Sequence, residues 1–293
     1  MADETKWVGT TYGNSWMHRW LIRLLRFFNI KVIYAFVAIF VIPVCLLVNP
    51  GRKVIYKYFR EIWGLRPVTA FLKTYKNFCL FGQVVVDKFA MYAGKQFDIE
   101  IEGYTHFRNL EEQSEGFIQL SAHVGNYEIA GYTLKAENKR LNALVFGGEK
   151  ETVMANRNRM FEEANIRMIG ISSDMSHLFE INNALSNGEI VSMPADRMLG
   201  SAKQISHTFL GKSASFPAGP FTVATSRSLN VLAVNVMKTS SSSYKIIIAP
   251  LAYDKTAPKK EQIMQLSSAY VRELERIVRQ YPEQWYNYYD FWA

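Results

Sequence analysis

Two cysteines in 293 residues, Cys45 inside an apolar run and Cys79 in a helical stretch, are too few for a disulfide framework. A reduced, cytoplasm-facing environment follows. Zinc-finger, K-homology and RNA-recognition strings are missing too, so the excess of cations, a net charge of +8, does not point to nucleic acid. An anionic lipid surface and an acidic carrier protein remain as partners for that charge. There is no internal repeat and no low-complexity tract beyond residues 239–243, which read as a hairpin turn. Gly147-Gly148-Glu149-Lys150 follows a predicted strand as a phosphate-cradling loop would, yet it lacks the G-x-x-x-x-G-K-[ST] spacing and is weak support for a nucleotide.

Aromatic residues, by contrast, make up 14% of the chain and include six tryptophans, a composition suited to a membrane interface. Residues 16–28 read as a basic amphipathic helix, with His18, Arg19, Arg23 and Arg26 interleaved with Trp20, Leu21, Leu24, Leu25 and Phe27. Residues 30–48 are apolar apart from Lys31 and include Pro43. At about nineteen residues this run is barely long enough to span a bilayer. It starts too late for a signal peptide and no small-residue cleavage site follows. Cations flank it on both sides, so charge does not choose an orientation. The expectation is a helix dipping into one leaflet, hinged at Pro43 and returning on the same side; the alternative is a buried helix of a soluble domain. Residues 52–93 are helical in period.

From Phe97 onward the pattern alternates. Strands are predicted at 97–101, 117–122, 141–146, 167–171, 190–193, 231–238 and 244–249. Helices are predicted at 126–135, 152–164, 176–187, 219–226 and 259–280. Such alternation predicts an α/β fold, a central mostly parallel sheet flanked by helices. The chain then divides into an N-terminal membrane-associated helical segment, 1–93, and an α/β domain, 94–293.

The stretch around which the rest is organised is Gln119–Glu128, where an apolar run stops at His123 and Glu128 follows five positions later. On one helix those two would lie roughly 140° apart and could not meet. Gly125 offers a tight turn and Asn126 a helix N-cap, so His123 is placed at the carboxyl end of a strand and Glu128 in the first turn of the next helix. Ligands bind at that edge of open α/β sheets. A carboxylate on one ring nitrogen would fix the tautomer and leave the other to take a proton from a hydroxyl. The plainer alternative is a histidine that merely ends a strand, with a solvated glutamate nearby.

His123-Val124-Gly125-Asn126-Tyr127-Glu128 resembles the H-x-G-N-[WYF]-E form of the H-x4-[DE] motif of the bacterial lipid A late acyltransferases, a branch of the lysophospholipid acyltransferase superfamily. Asn156-Arg157-Asn158-Arg159 lies where that family's helix carries functional arginines, which implies a phosphate-binding role for Arg157 or Arg159. Ser192-Met193-Pro194-Ala195-Asp196-Arg197 resembles the family's aspartate segment, with Arg197 standing where glutamine is usual. The block from Phe209 to Phe221 resembles F-[FL]-G-x-x-A-x-x-P-x-G-P and implies a loop bringing Lys212 to the substrate. Tyr281-Pro282-Glu283-Gln284-Trp285 resembles the closing P-x-Q-W segment. The Trp7-x-Gly9-Thr10-Thr11-x-Gly13 opening looks more like a side branch of the superfamily, found beside aryl polyene and flexirubin-type pigment pathways or in other lipid pathways of related bacteria.

The resemblance implies an O-acyltransferase at the cytoplasmic face of a bacterial inner membrane. It would transfer a fatty acyl chain from acyl carrier protein, or from acyl-coenzyme A, to a hydroxyl of a lipid acceptor. His123 would be the general base, Glu128 its orienting partner, and Asn126, Arg157, Arg159, Asp196, Arg197 and Lys212 substrate-binding residues, with neither cofactor nor metal. Thioester hydrolysis and a catalytically silent membrane scaffold are the rival functions.

Overall fold

A computed structural model describes residues 15–134, 136–146, 165–171, 175–198 and 203–292. The Trp7–Gly13 opening, the glycine pair at 147–148 and the predicted helix carrying Arg157 and Arg159 lie outside those residues.

The chain begins with helices: α1 (Ser15–Phe27), α2 (Ile30–Val48), α3 (Gly51–Lys57, continued by a π-helical turn, Tyr58–Ile62) and α4 (Pro67–Tyr92). Proline opens α4 at its first turn, where no intrahelical partner for an N–H is required, and holds Arg66 extended before it. Apolar and buried positions along α4, among them Ala70, Phe78, Val86, Phe89 and Ala90, recur at helical spacing and face the rest of the molecule.

One edge of α2, including Tyr34, Ile42 and Leu46, packs on α4, while Val32, Phe36, Ile39, Phe40, Val44, Leu47 and Val48 are exposed. Gly82 permits the close approach, since a Cβ there would sit 3.1 Å from Val37 Cγ1 and 3.3 Å from Ile42 Cδ1. The expected hinge at Pro43 is corrected: the helix continues through Pro43 to Val48, and Val37–Val41 widens to a π turn. Proline lacks an N–H and its ring crowds the carbonyl four residues back, and the widened turn before it absorbs both. By length and composition α2 could cross a membrane.

Beyond α4 the fold is α/β, as expected. Strands β1 (Asp98–Glu102), β2 (Phe117–Ser121), β3 (Leu141–Phe146), β4 (Ile166–Ile171), β5 (Ile190–Pro194), β8 (Val231–Lys238) and β9 (Ser243–Pro250) form one sheet in the order β1-β9-β8-β2-β5-β3-β4. All neighbours are parallel except β8 and β9. Helices α5 (Tyr104–Glu111), α6 (Tyr127–Thr133), α7 (Ser176–Ser186), α8 (Gly219–Ser226) and α9 (Lys259–Gln280) accompany it. Central β8 is buried along its whole length, as a strand covered on both faces must be. Successive residues of β2 enter opposite cores, Ile118 and Leu120 one and Phe117 the other.

The remaining two strands, β6 (Gln204–Phe209) and β7 (Lys212–Pro217), pair as a separate antiparallel hairpin. Leu210 and Gly211 both take positive φ at its two-residue turn. The expected loop presenting Lys212 to substrate is therefore corrected. Lys212 lies on β7, and its ammonium is 3.1 Å from Glu61 Oε2 in an exposed ion pair. Lys212→Ala should change the urea-unfolding free energy by no more than about 1 kcal/mol and leave turnover at the wild-type level.

Candidate active site

Parallel β2 and β5 end side by side, with Ser121 opposite Pro194, so their continuations emerge at the same carboxyl edge. One continuation carries His123 and the other Asp196. The Ala195 N–H donates to the Ser121 carbonyl (3.0 Å) and holds the two together. His123 Nδ1 lies 2.8 Å from Asp196 Oδ1, and the His123 backbone N–H donates to Asp196 Oδ2 at 2.9 Å. One carboxylate thus grips both ring and main chain. It is almost wholly buried, whereas 19% of the imidazole side chain remains accessible.

Burial alone would raise the Asp196 carboxyl, but the hydrogen-bonded His123 ring and the Arg197 guanidinium outweigh it and hold the group below its ordinary range. An ionised carboxylate only accepts, so His123 Nδ1 is the donor in this bond, which in the neutral ring places the lone pair on Nε2. Here the structure corrects the expected pairing: the carboxylate hydrogen-bonded to the ring is Asp196, not Glu128. Glu128 does occupy the first turn of α6, and its carboxylate forms an ion pair with Lys88 of α4 at 3.0 Å. Both side chains are about nine-tenths buried, with 10% and 11% accessible.

The turn between them is built as expected around Gly125, whose φ is +62°. Its N–H donates to Gln284 O (2.8 Å), and the next N–H, of Asn126, to Val236 O (2.8 Å). A Cβ on Gly125 would lie 1.9 Å from the Val236 carbonyl oxygen. Gly125→Ala adds left-handed backbone strain to that overlap, and should lower unfolding free energy by about 3 kcal/mol or more, read from the urea midpoint. Asn126 stands at the N-cap position, but its amide makes no cap bond. It is buried instead and donates from Nδ2 to the Tyr244 hydroxyl at 3.3 Å.

The C-terminal tail closes the arrangement. The Tyr286 N–H donates to the His123 carbonyl (3.0 Å), Val124 bridges Trp285, and Arg197 Nη2 donates to the Tyr286 carbonyl (2.8 Å). The Arg197 guanidinium also lies 5.8 Å from the centre of the Tyr289 ring. Asn77 of α4 donates from Nδ2 to the carbonyls of Glu283 and Trp285, both at 3.0 Å, which ties the tail to the N-terminal helices. The P-x-Q-W segment is thus a clasp on the histidine turn.

Of the expected site residues, the structure brings together His123, Asn126, Glu128, Asp196 and Arg197, while Lys212 is paired with Glu61. Arg157 and Arg159 lie outside the described residues. Lys88 is an addition. Its only signal in the sequence is a charged pair, Asp87-Lys88, set in the apolar stretch Val84–Ala90. Among the described residues, no cluster of three or more His, Cys, Asp or Glu is arranged to hold a metal ion.

The sequence matches the model of a family described as bacterial lipid A biosynthesis acyltransferase over residues 79–292, from within α4 through the His123 turn to the tail. Among solved structures, the 1-acyl-sn-glycerophosphate (LPA) acyltransferase PlsC from Thermotoga maritima is similar with a TM-score of 0.39 and 16% identity, over 83% of this chain and 98% of that one. No curated protein matches the sequence. With nearly three-quarters of its length inside the family match, the histidine turn and the closing tail included, the chain belongs to the bacterial lipid A biosynthesis acyltransferase family and is an acyltransferase.

Proposed function

We propose that the protein moves a fatty acyl chain from a thioester donor to a hydroxyl of a lipid acceptor, with His123 as general base and Asp196 as the carboxylate that orients it. The observation that carries this reading is the double hold of Asp196 on the His123 ring and main chain at the carboxyl edge of the sheet. Nε2 takes the proton of the acceptor hydroxyl. The oxygen attacks the thioester carbonyl, the C–S bond breaks, and the departing thiolate takes up the proton from the imidazolium. Positioning of both substrates supplies much of the rate, and the base a further factor of about 10²–10⁴.

Glu128 and Lys88 form a second charged pair on the first turn after the histidine. Arg157 or Arg159 is the group proposed to hold a phosphate or other anionic headgroup of the acceptor. Acyl carrier protein, with acyl-coenzyme A as the alternative donor, suits a chain of net charge +8. The same charge suits an anionic bilayer at the cytoplasmic face of the inner membrane. Attachment there is proposed through the exposed apolar side of α2 and through α1, where Trp16 and Trp20 are exposed.

The test is mass spectrometry of lipids from cells carrying the wild-type gene, a deletion or His123→Ala, together with donor turnover by the purified protein with and without lipid. Loss of one acyl chain from one lipid class in both mutant strains is the expected result. Equal thioester turnover without acceptor would make the protein a hydrolase. A lipid change in the deletion but not in His123→Ala would make it a scaffold.

A further inference from the structure

Asp87 and Lys88 are adjacent charges on α4, and the structure leaves neither in water. Charges are buried at heavy cost unless each is paired and hydrogen-bonded, and apolar residues of similar shape would often serve stability as well. Their destinations are therefore informative. Lys88 reaches Glu128, as described above. Asp87 collects three donors from three separate parts of the chain: the Lys238 ammonium at the end of β8 (2.5 Å), the hydroxyl of Tyr34 on α2 and the hydroxyl of Tyr244 on β9. Lys238 Nζ also donates to the Tyr34 hydroxyl (3.1 Å) and lies 4.7 Å from the centre of the Tyr244 ring.

Two hydrogen-bonded routes lead from this cluster to the histidine turn. The first passes through the Tyr244 hydroxyl, which accepts from Asn126. The second passes through Lys238, whose backbone N–H and C=O are both bound by the Gln284 side chain (2.9 and 2.8 Å), while the Gln284 carbonyl accepts from the Gly125 N–H. On the other side, the Tyr34 hydroxyl brings the apolar helix α2 to the same carboxylate. Burial pushes the Asp87 carboxyl up and the Lys238 ammonium down from their ordinary ranges, against the pull of each on the other.

We propose that Asp87 is a positioning residue: through Tyr244 and Lys238 it fixes the turn that carries His123, and through Tyr34 it makes that turn depend on α2 being seated against α4. The functional half of this inference rests on reading the turn as the acyl-transfer site. The structural half stands without it.

The experiment compares full-length wild type, Tyr34→Phe, Tyr244→Phe and Asp87→Asn in nanodiscs of phosphatidylglycerol and phosphatidylethanolamine, by amide hydrogen exchange and acyl-transfer kinetics. Tyr75→Phe is the control: the Tyr75 hydroxyl also ties α2 to α4, through the Ala38 carbonyl at 2.5 Å, but belongs to neither route. Each network variant loses a hydrogen bond to a charged group, so the Gly125 and Asn126 amides should exchange roughly tenfold faster. The rate kcat should fall by a similar factor with KM nearly unchanged. Tyr75→Phe should leave all of these at wild-type values, and Val234 in the sheet centre should keep its protection throughout.

Should Asp87→Asn lose protection across the whole sheet, the two phenylalanine variants decide, since each removes a single oxygen. Wild-type exchange at Gly125 and Asn126 in both Tyr34→Phe and Tyr244→Phe would overturn the proposal, as would an equal effect of Tyr75→Phe. Absence of acyl transfer by the wild-type protein would instead count against the functional reading, and leaves the exchange result interpretable.

Discussion

Replacing His123 with alanine should lower kcat for acyl transfer by about 10²–10⁴, with KM changed little. That range corresponds to about 2.7–5.5 kcal/mol of transition-state stabilisation. The fold should survive, because the residue's structural contacts are made largely by its main chain: its N–H to Asp196 and its carbonyl to Tyr286. Alanine keeps both. Steady-state kinetics on a thioester donor and lipid acceptor, with circular dichroism to establish folding, make the measurement. A folded His123→Ala protein working at half the wild-type rate would remove the histidine from the mechanism.

Asp196→Asn should have an effect of the same order, about 10²–10⁴ in kcat, through the tautomer. A carboxylate accepts from Nδ1–H, whereas an amide turned to donate there would leave the ring proton on Nε2, the nitrogen proposed as the base. The same substitution has a signature in stability. Because the folded Asp196 carboxyl is held below its ordinary range, folding favours its ionised form. The resulting stabilisation is complete above the unfolded value of about 4 and is lost as the pH falls through the lower folded one. The difference in unfolding free energy between wild type and Asp196→Asn should therefore shrink along a pH series taken below about pH 4. Urea midpoints over that series measure it. A difference that grew on acidification would mean that the buried group is held as the neutral acid.

The sheet was legible where hydrophobic runs and turn residues agree. An apolar 117–122 run cut off at a histidine marks a buried strand and its carboxyl end, and β2 closes at Ser121. Helix α9 lies at 259–280 as its periodicity predicts. The β6 and β7 hairpin is absent from the predicted strands because residues 204–209 carry only two large apolar side chains, Ile205 and Phe209, too few to mark an alternating strand, although Leu210-Gly211 suits a two-residue turn. His123 and Asp196 were both identifiable as site residues, but their pairing was not. Seventy-three positions separate them, and only the parallel register of β2 with β5 makes them neighbours. Glu128 was the nearer carboxylate in sequence, and its helix turns it toward Lys88. Asp87 and Lys88 were hidden inside a helical period otherwise satisfied by apolar neighbours.

The clasp made by Gln284, Trp285 and Tyr286 also bears on how the molecule comes into being. Synthesis runs from the apolar helix toward the tail, so α2 and the strand bearing His123 leave the ribosome well before the residues that latch the turn. The Gly125 N–H and the His123 carbonyl wait for partners supplied by Gln284 and Tyr286. A nascent polypeptide can thus hold every group of the proposed site and still not be an assembled catalyst, and the proposed membrane attachment through α2 has time to precede activity. Premature termination just before Gln284 would produce the same unlatched state permanently.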